Sequence, residues 1–294
     1  MVTNRFNKRL AIGVLFMSLI WLGGYAYGAE RHITIAVLPC TDVVMTFKKF
    51  HPLVTYLKQQ TGFDIRLVVP KGSEGLETAI ENGDIDIAFQ DPHTYVRLAS
   101  LYDKSTLIRS LTRAGAISQS GVVIAGKDSL IKKVKDLKGK NVMFGPRLSA
   151  AKWVAAKILF EENGIDIDKD LKAYSNGGCC EDIAFNVYLK AVDAGVVCDH
   201  FLEEHSEKQR ELGIDAMQLI VVSRTRLVPT KLFAARRGMS KSTVTKINEA
   251  LLGLDKKNPE HTKILYRAEL GGFQKSRDED YDGIRMLIGE KRTE

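Results

Sequence analysis

Apolar positions along this chain change their period repeatedly, and each change marks an element. The run Ile33-Thr34-Ile35-Ala36-Val37-Leu38 is short and rich in β-branched residues, and Pro39 ends it, which predicts a strand. Phe47, Phe50, Val54 and Leu57 then recur at i, i+3, i+7 and i+10, one face of a helix that stops near Thr61-Gly62. A second apolar run, Ile65-Arg66-Leu67-Val68-Val69, is closed by Pro70. A helix over Gly75–Glu81 follows, stopped by Asn82-Gly83, and then a third strand, Ile85-Asp86-Ile87-Ala88-Phe89. Strand and helix alternating at this spacing predict an α/β fold with a mostly parallel sheet.

The pattern restarts further on. Gly121–Ala125 and Asn141–Phe144 read as strands. Ala150–Asn163 reads as an amphipathic helix with Trp153, Ile158 and Leu159 on its apolar side and Gly164 as its stop. Asp182–Ala194 reads as another helix, Gly195-Val196-Val197 as a short strand and Met217–Ser223 as a β-rich run. Thr243–Leu254 and Asp280–Ile288 read as closing helices. The simplest topology has two α/β lobes with the second inserted in the first. Lobe one is residues 29–115 plus 225–294, lobe two is residues 116–224, and two extended crossings form a hinge.

The first 28 residues belong to neither lobe. Arg5, Lys8 and Arg9 precede an apolar run from Leu10 to Leu22, and Ala26-Tyr27-Gly28 places small residues at the minus-three and minus-one positions of a cleavage site before Ala29. The apolar run is shorter than the ~20 residues that span hydrocarbon, so a cleaved signal peptide is favoured over an anchor. No cysteine follows closely enough for lipid attachment, since the first is Cys40. The expected product is soluble, exported and periplasmic.

Charge and motifs exclude several functions. The whole chain has a formal net charge of +7, and loss of the three basic residues in the signal lowers it to +4. No compact basic and aromatic stripe appears, so nucleic acid is not an expected partner. The densest basic stretch, Lys132 to Lys140, reads as a solvated surface. There is no Ser-His-Asp arrangement in a recognisable context, no glycine-rich nucleotide loop and no His-Glu-x-x-His. Cys179 and Cys180 are adjacent rather than spaced as Cys-x-x-Cys, which argues against a thiol oxidoreductase. Neither an enzyme nor a cofactor is expected.

Four segments carry a family resemblance. They are Leu53-Val54-Thr55-Tyr56-Leu57 with Thr61-Gly62; Glu81-Asn82-Gly83-Asp84-Ile85-Asp86-Ile87-Ala88 with Pro92 and Tyr95; Asp136-Leu137-Lys138-Gly139-Lys140-Asn141-Val142-Met143-Phe144-Gly145; and Ala191-Val192-Asp193-Ala194-Gly195-Val196-Val197. In these the chain resembles the periplasmic solute-binding proteins, of type II, that serve phosphate, phosphite and phosphonate transporters. The resemblance implies two lobes closing on a small anion held by side chains and helix N-termini from both lobes. It further implies a monomer that delivers its ligand to an ABC transporter permease or presents it to a sensor histidine kinase, as in two-component sensing. Two segments depart from the family. Where the family usually has a Ser-Thr-Ser-like run, this chain has Gly145-Pro146-Arg147-Leu148-Ser149-Ala150-Ala151, keeping one hydroxyl and adding a charge. Where it has a segment of Ser-His-Glu type, this chain has Gly177-Gly178-Cys179-Cys180-Glu181-Asp182.

Ligands in open α/β sheets bind beyond the carboxyl ends of strands. This rule nominates Gln90, His93, Thr94 and Tyr95 after the third strand, with Asp91 either facing the gap or only forming a turn before Pro92. It also nominates Arg147 and Ser149 in the loop after Phe144. Asp199 is implied by the resemblance as an acceptor for a protonated ligand oxygen, and otherwise caps a helix near Phe201. His200 and His205 read as solvated.

The four cysteines, Cys40, Cys179, Cys180 and Cys198, fall in the same region. One reading is structural disulfides, with Cys179 or Cys180 joined to Cys198. The other is a soft-ligand site in which thiolates hold a metalloid, and a branch of the family resembles arsenite-sensing binding proteins. Zinc would add His93 or His200. The favoured expectation is arsenite held by thiols; the alternative is a phosphonate, phosphite or phosphate carrier with structural disulfides.

Overall fold

The β-branched run at the front forms β1 (Ile33–Val37), buried along its whole length. In this computed structural model, which describes residues 32–39, 43–204 and 213–292, β1 lies between two parallel neighbours, β2 (Ile65–Val68) and β3 (Ile87–Gln90). The signal segment with its cleavage site, Cys40 and His205 lie outside the described residues. Parallel pairing needs crossovers, and α1 (Val43–Thr61) and α2 (Gly72–Glu81) supply them. Helix α1 buries Thr46, Phe50, Leu53, Val54, Tyr56 and Leu57. Phe47, expected on that face, is 41% exposed. It falls at the edge of the buried arc, and its ring packs on His51 of the same helix instead.

Three further strands complete this sheet: β4 (Ile108–Leu111), β12 (Leu232–Ala235) and β13 (Gly272–Lys275). The order is β13-β4-β12-β3-β1-β2, with β12 antiparallel to both β3 and β4. Alternate residues feed two cores. Ile35, Val37, Phe89 and Phe233 pack with α1, α7 (Lys241–Leu252) and α8 (Pro259–Arg267). Ala36, Ala88, Leu232 and Ala234 pack with α2, α3 (Pro92–Arg97) and α9 (Asp282–Ile288). Fully burying one such large apolar side chain contributes about 1.5–3 kcal/mol, so the alternation fixes which face each helix covers.

A second sheet has the order β10-β6-β9-β7-β8. Its strands are β6 (Gly121–Gly126), β7 (Asn141–Phe144), β8 (Ala173–Asn176), β9 (Ala194–Cys198) and β10 (Leu219–Arg224). Val123 and Ala125 of β6 face one core, while Val122 and Ile124 face the other. The chain passes between the sheets twice, through β5 (Ser118–Gln119) and β11 (Val228–Pro229), which pair antiparallel. The fold is therefore the two-lobed α/β architecture expected, with the second lobe inserted in the first.

Two predicted helices are corrected. The one expected over Asp182–Ala194 is α5 (Cys180–Tyr188), and Ala194 begins β9. Asp193 is drawn into the sheet edge, where its carboxylate accepts the Asn141 N–H at 2.8 Å. The helix expected from Ala150 opens with a π-helical turn, Ala150–Val154, before α4 (Ala155–Glu162). Ser149 O accepts both Trp153 N and Val154 N at 3.1 Å, which widens that turn. Ala150, Ala151 and Ala155 from this segment pack into the first-lobe core around Tyr95 of α3 and Ile284 of α9.

Candidate functional site

The carboxyl ends of β1 and β3 face those of β7 and β9 across a cavity of about 470 Å³. Among the described residues, cations outnumber carboxylates on its wall: Lys49, Arg113, Arg147, Lys152 and Lys231 against Asp91, Glu181 and Glu269. Lys49 pairs with Glu269 at 2.9 Å, and Arg113 lies 4.4 Å over the Tyr266 ring.

On the first-sheet side, Gln90 ends β3 and Thr94 lies in the first turn of α3; they are 1% and 2% exposed. Thr94 Oγ1 is buried with no hydrogen-bond partner among the described residues, and the Gln90 amide makes no well-formed hydrogen bond although the Tyr102 hydroxyl lies beside it. An unmet buried polar group costs about 1–3 kcal/mol, so these atoms suit a polar ligand that completes them. Asp91 does more than form a turn. Its Oδ1 caps α3 by accepting His93 N at 3.0 Å, and it also accepts Ala150 N at 2.9 Å, tying the first sheet to the helix entry of the second. Burial pushes its carboxyl up, against the pull of those two N–H groups and of Lys231 and Lys152.

On the opposite side, Arg147 places its guanidinium 5.1 Å over the Trp153 ring. Ser149 lines the cavity and its Oγ accepts Lys152 N at 3.2 Å, capping the π-helical turn. Lys152 itself was not a candidate in the sequence. It is 4% exposed, lines the cavity and donates from Nζ to Gly178 O at 3.1 Å. Gly145 makes its position available: a Cβ there would lie 2.4 Å from Lys152 Cβ.

Three cysteines reach this wall, and all three are thiols outside any disulfide. Cys179 caps α5, its Sγ accepting Asp182 N at 3.4 Å. Cys180 Sγ accepts Cys198 N at 3.2 Å. Among the described residues no cluster of three or more His, Cys, Asp or Glu side chains is placed to hold a metal ion. The metalloid site expected from Cys40, Cys179, Cys180 and Cys198, and zinc with His93 or His200, is not assembled among the described residues. Cys179 is committed to its cap while the other two face each other, so three sulfurs do not converge. Cys40 lies outside the described residues. The hydrogen bond from Cys198 and the nearby charge of Lys152 outweigh burial and Glu181, and pull the Cys180 thiol down to about 6. Burial and Glu181 push Cys179 up to about 11. Alkylation of Cys180 by iodoacetamide is therefore expected to proceed at a lower pH than that of an ordinary thiol, with Cys179 unreactive at neutrality. Peptide mass mapping reads both sites, and faster labelling of Cys179 at neutral pH would contradict the assignment.

Other expected contacts lie elsewhere. Tyr95 is fully buried in the first-sheet core, its hydroxyl donating to Asp278 at 2.6 Å, because one step along α3 turns it away from the wall that Thr94 faces. His93 is not on the cavity wall; burial and the charge of Arg97 lower it to about 4, so it is neutral at physiological pH. Asp199 is the first residue of α6 (Asp199–Glu204), not a residue preceding it, and it is also off the wall. Its Oδ2 accepts Ser120 N at 2.7 Å and Ser120 Oγ at 3.0 Å, which holds the end of β9 to the start of β6. His200, expected to be solvated, lines the cavity. The structure thus brings together Gln90, Thr94, Arg147, Ser149, Cys179, Cys180 and Cys198, and adds Lys152, Lys231, Lys49 and Arg113.

Two α/β lobes facing each other across a cationic cleft define a solute-binding protein of type II architecture. Residues 35–281 match the family described as ABC transporter, phosphonate, periplasmic substrate-binding protein, and the chain belongs to it. That family is one of periplasmic binding proteins rather than enzymes. Among curated relatives, the phosphate-import protein PhnD of Mycolicibacterium smegmatis is 23% identical over 233 residues, covering 76% of this chain and 71% of that one. Among solved structures, a binding protein component of an ABC phosphonate transporter from Pseudomonas aeruginosa aligns with a TM-score of 0.76 at 21% identity, covering 88% of this chain and 86% of that one. PhnD1 of Prochlorococcus marinus in complex with methylphosphonate aligns with a TM-score of 0.75 at 17% identity, covering 88% and 97%.

Proposed function

We propose that this chain is the binding component of an ABC importer and that it closes on a small phosphorus oxyanion bearing an organic substituent. One observation carries the reading: the Gln90 amide and the Thr94 hydroxyl, the latter with no partner among the described residues, are buried at a cleft whose described cations outnumber its described carboxylates. A phosphonate brings oxygens that accept from Thr94, Gln90 and Lys152 and a charge that offsets the cationic surplus. Leu38, Phe50, Phe89, Leu111 and Leu270 line the rest of the cavity and suit the carbon substituent. A water's share of liquid volume is about 30 Å³, so the cavity exceeds what a bare oxyanion fills. Residues 29–115 with 225–294 and residues 116–224 would be the two closing bodies, the β5–β11 pair the hinge, and a permease the partner to which a single chain delivers its ligand. Arsenite held by thiols, the favoured expectation from sequence, gives way to the alternative because the family match is to phosphonate-binding proteins and, among the described residues, no three thiols gather. The family and its phosphate-import relative favour a transporter over a sensor kinase as the recipient.

Calorimetry on the protein without its signal, kept reduced with a phosphine, tests the reading against methylphosphonate, phosphite, phosphate and arsenite. Saturable binding of methylphosphonate without arsenite binding is expected. Thr94→Val, which removes one buried donor, is expected to weaken it about tenfold. Binding of arsenite alone would overturn the proposal.

A further inference from the structure

We propose that Cys180 and Cys198 are a thiol–disulfide pair in the wall of the ligand cavity, closed and reopened by exchange with a small disulfide, and that closing it strengthens anion binding. The first residue of α5 and the last residue of β9 carry the two sulfurs, and Cys180 Sγ already accepts the Cys198 N–H at 3.2 Å. Close packing of helix on strand brings them there. Gly195 has no side chain where α5 presses down, and a Cβ at that position would lie 2.5 Å from Ile183 Cγ2. Both cysteines are only 8% exposed, and what exposure they have opens on the cavity. Both belong to the second lobe, so a bond between them leaves the hinge free to move.

The chemistry balances with a small disulfide as oxidant. The Cys180 thiolate attacks one sulfur of the donor, forming a mixed disulfide and releasing one thiol. Cys198 gives up its proton, attacks the Cys180 sulfur and expels the second thiol. Two protein thiols become one disulfide, and the donor is reduced to two thiols. Cys180 is the attacking residue, because its low-lying thiol is the reactive one, whereas Cys179 is held in its cap with a raised thiol. Among the described residues, the ionisable groups that act on Cys180 include Cys198, Lys152, Glu181 and Cys179. Lys152 Nζ donates to Gly178 O, two residues before Cys180 on the same wall, so removing the ionisable thiol by oxidation leaves more of the ammonium's field for an anionic ligand. This last step rests on the oxyanion reading; the pair itself does not.

The test uses the exported protein without its signal, incubated with oxidised glutathione, alkylated and mapped by mass spectrometry. The expected product is a Cys180–Cys198 linked peptide with Cys179 alkylated, reversed by a phosphine. A persistent glutathione adduct on Cys180 beside an alkylated Cys198, or a link through Cys179 or Cys40, would overturn the pair. In parallel, methylphosphonate is titrated near neutral pH, with oxidised protein expected to bind about tenfold more tightly than reduced. The gain should vanish in Cys180→Ser. Equal affinities in the unsubstituted protein would overturn the effect on the cavity. Absence of methylphosphonate binding in both states would count against the oxyanion reading, while the mass map still decides the pair.

Discussion

Replacing Lys152 with glutamine is expected to weaken phosphonate binding about a hundredfold while leaving the fold in place, because it removes a buried positive charge from the ligand's wall. Lys152 is 4% exposed, and its ammonium is steered by Gly178 O. A charge-assisted hydrogen bond is worth about 1.5–3 kcal/mol, and at about 1.4 kcal/mol per decade this range brackets the hundredfold loss. Glutamine keeps a donor for Gly178 O and spares the cost of a buried ammonium, so stability should change little. Calorimetry and thermal melting on the same sample separate the two effects. A variant that binds as tightly as the parent would place the anion away from Lys152.

The largest expected loss of stability is at Arg285. This side chain is 4% exposed and forms a buried ion pair with Asp278, with Nη1 donating to Asp278 O at 2.9 Å and to Asp282 Oδ1 at 2.8 Å. Tyr95 donates to the same Asp278 carboxylate, which ties α9 to α3 through the first-lobe core. Truncating one member of a buried pair strands the other and costs about 3–5 kcal/mol. Lys104 at 3.9 Å and Arg292 at 4.0 Å remain near Asp278, so Arg285→Met is expected near the lower end of that range. Arg292→Ala should cost under about 1 kcal/mol, since its side chain is 44% exposed. Urea unfolding of both variants checks the contrast. Equal losses would mean that the Asp278 cluster is not organised around Arg285.

Elements with a continuous or periodic apolar signal were legible. β1, α1 and β7 follow their runs closely because those residues are buried by their own local pattern. The missed strands are short and mixed, among them Ile-Arg-Ser-Leu in β4, Ala-Tyr-Ser-Asn in β8, Leu-Phe-Ala-Ala in β12 and Gly-Phe-Gln-Lys in β13. What makes them strands is pairing with partners far along the chain, which no window of sequence contains. The same limit governs the site. The place of Gln90 and Thr94 on the cavity wall was legible because residues beyond a strand's carboxyl end reach the cleft. Tyr95 was misassigned because a single helical step separates cleft from core. Asp199 was misassigned because its carboxylate is taken by Ser120, which pairing of β6 with β9 brings beside it. Lys152 was invisible because a lysine in a helix reads as solvated. Only the π-helical turn and the bare Cα of Gly145 bury it.

A crystal structure of the reduced protein with methylphosphonate tests the central claim most directly. The account predicts the phosphonate group between the lobes, with its oxygens within hydrogen-bond distance of Thr94 Oγ1, the Gln90 amide and Lys152 Nζ, and its methyl group toward the Phe50 and Phe89 side of the cavity. A cleft without phosphonate at saturating ligand, or an anion bound outside the cleft with Thr94 still unpartnered, would contradict it.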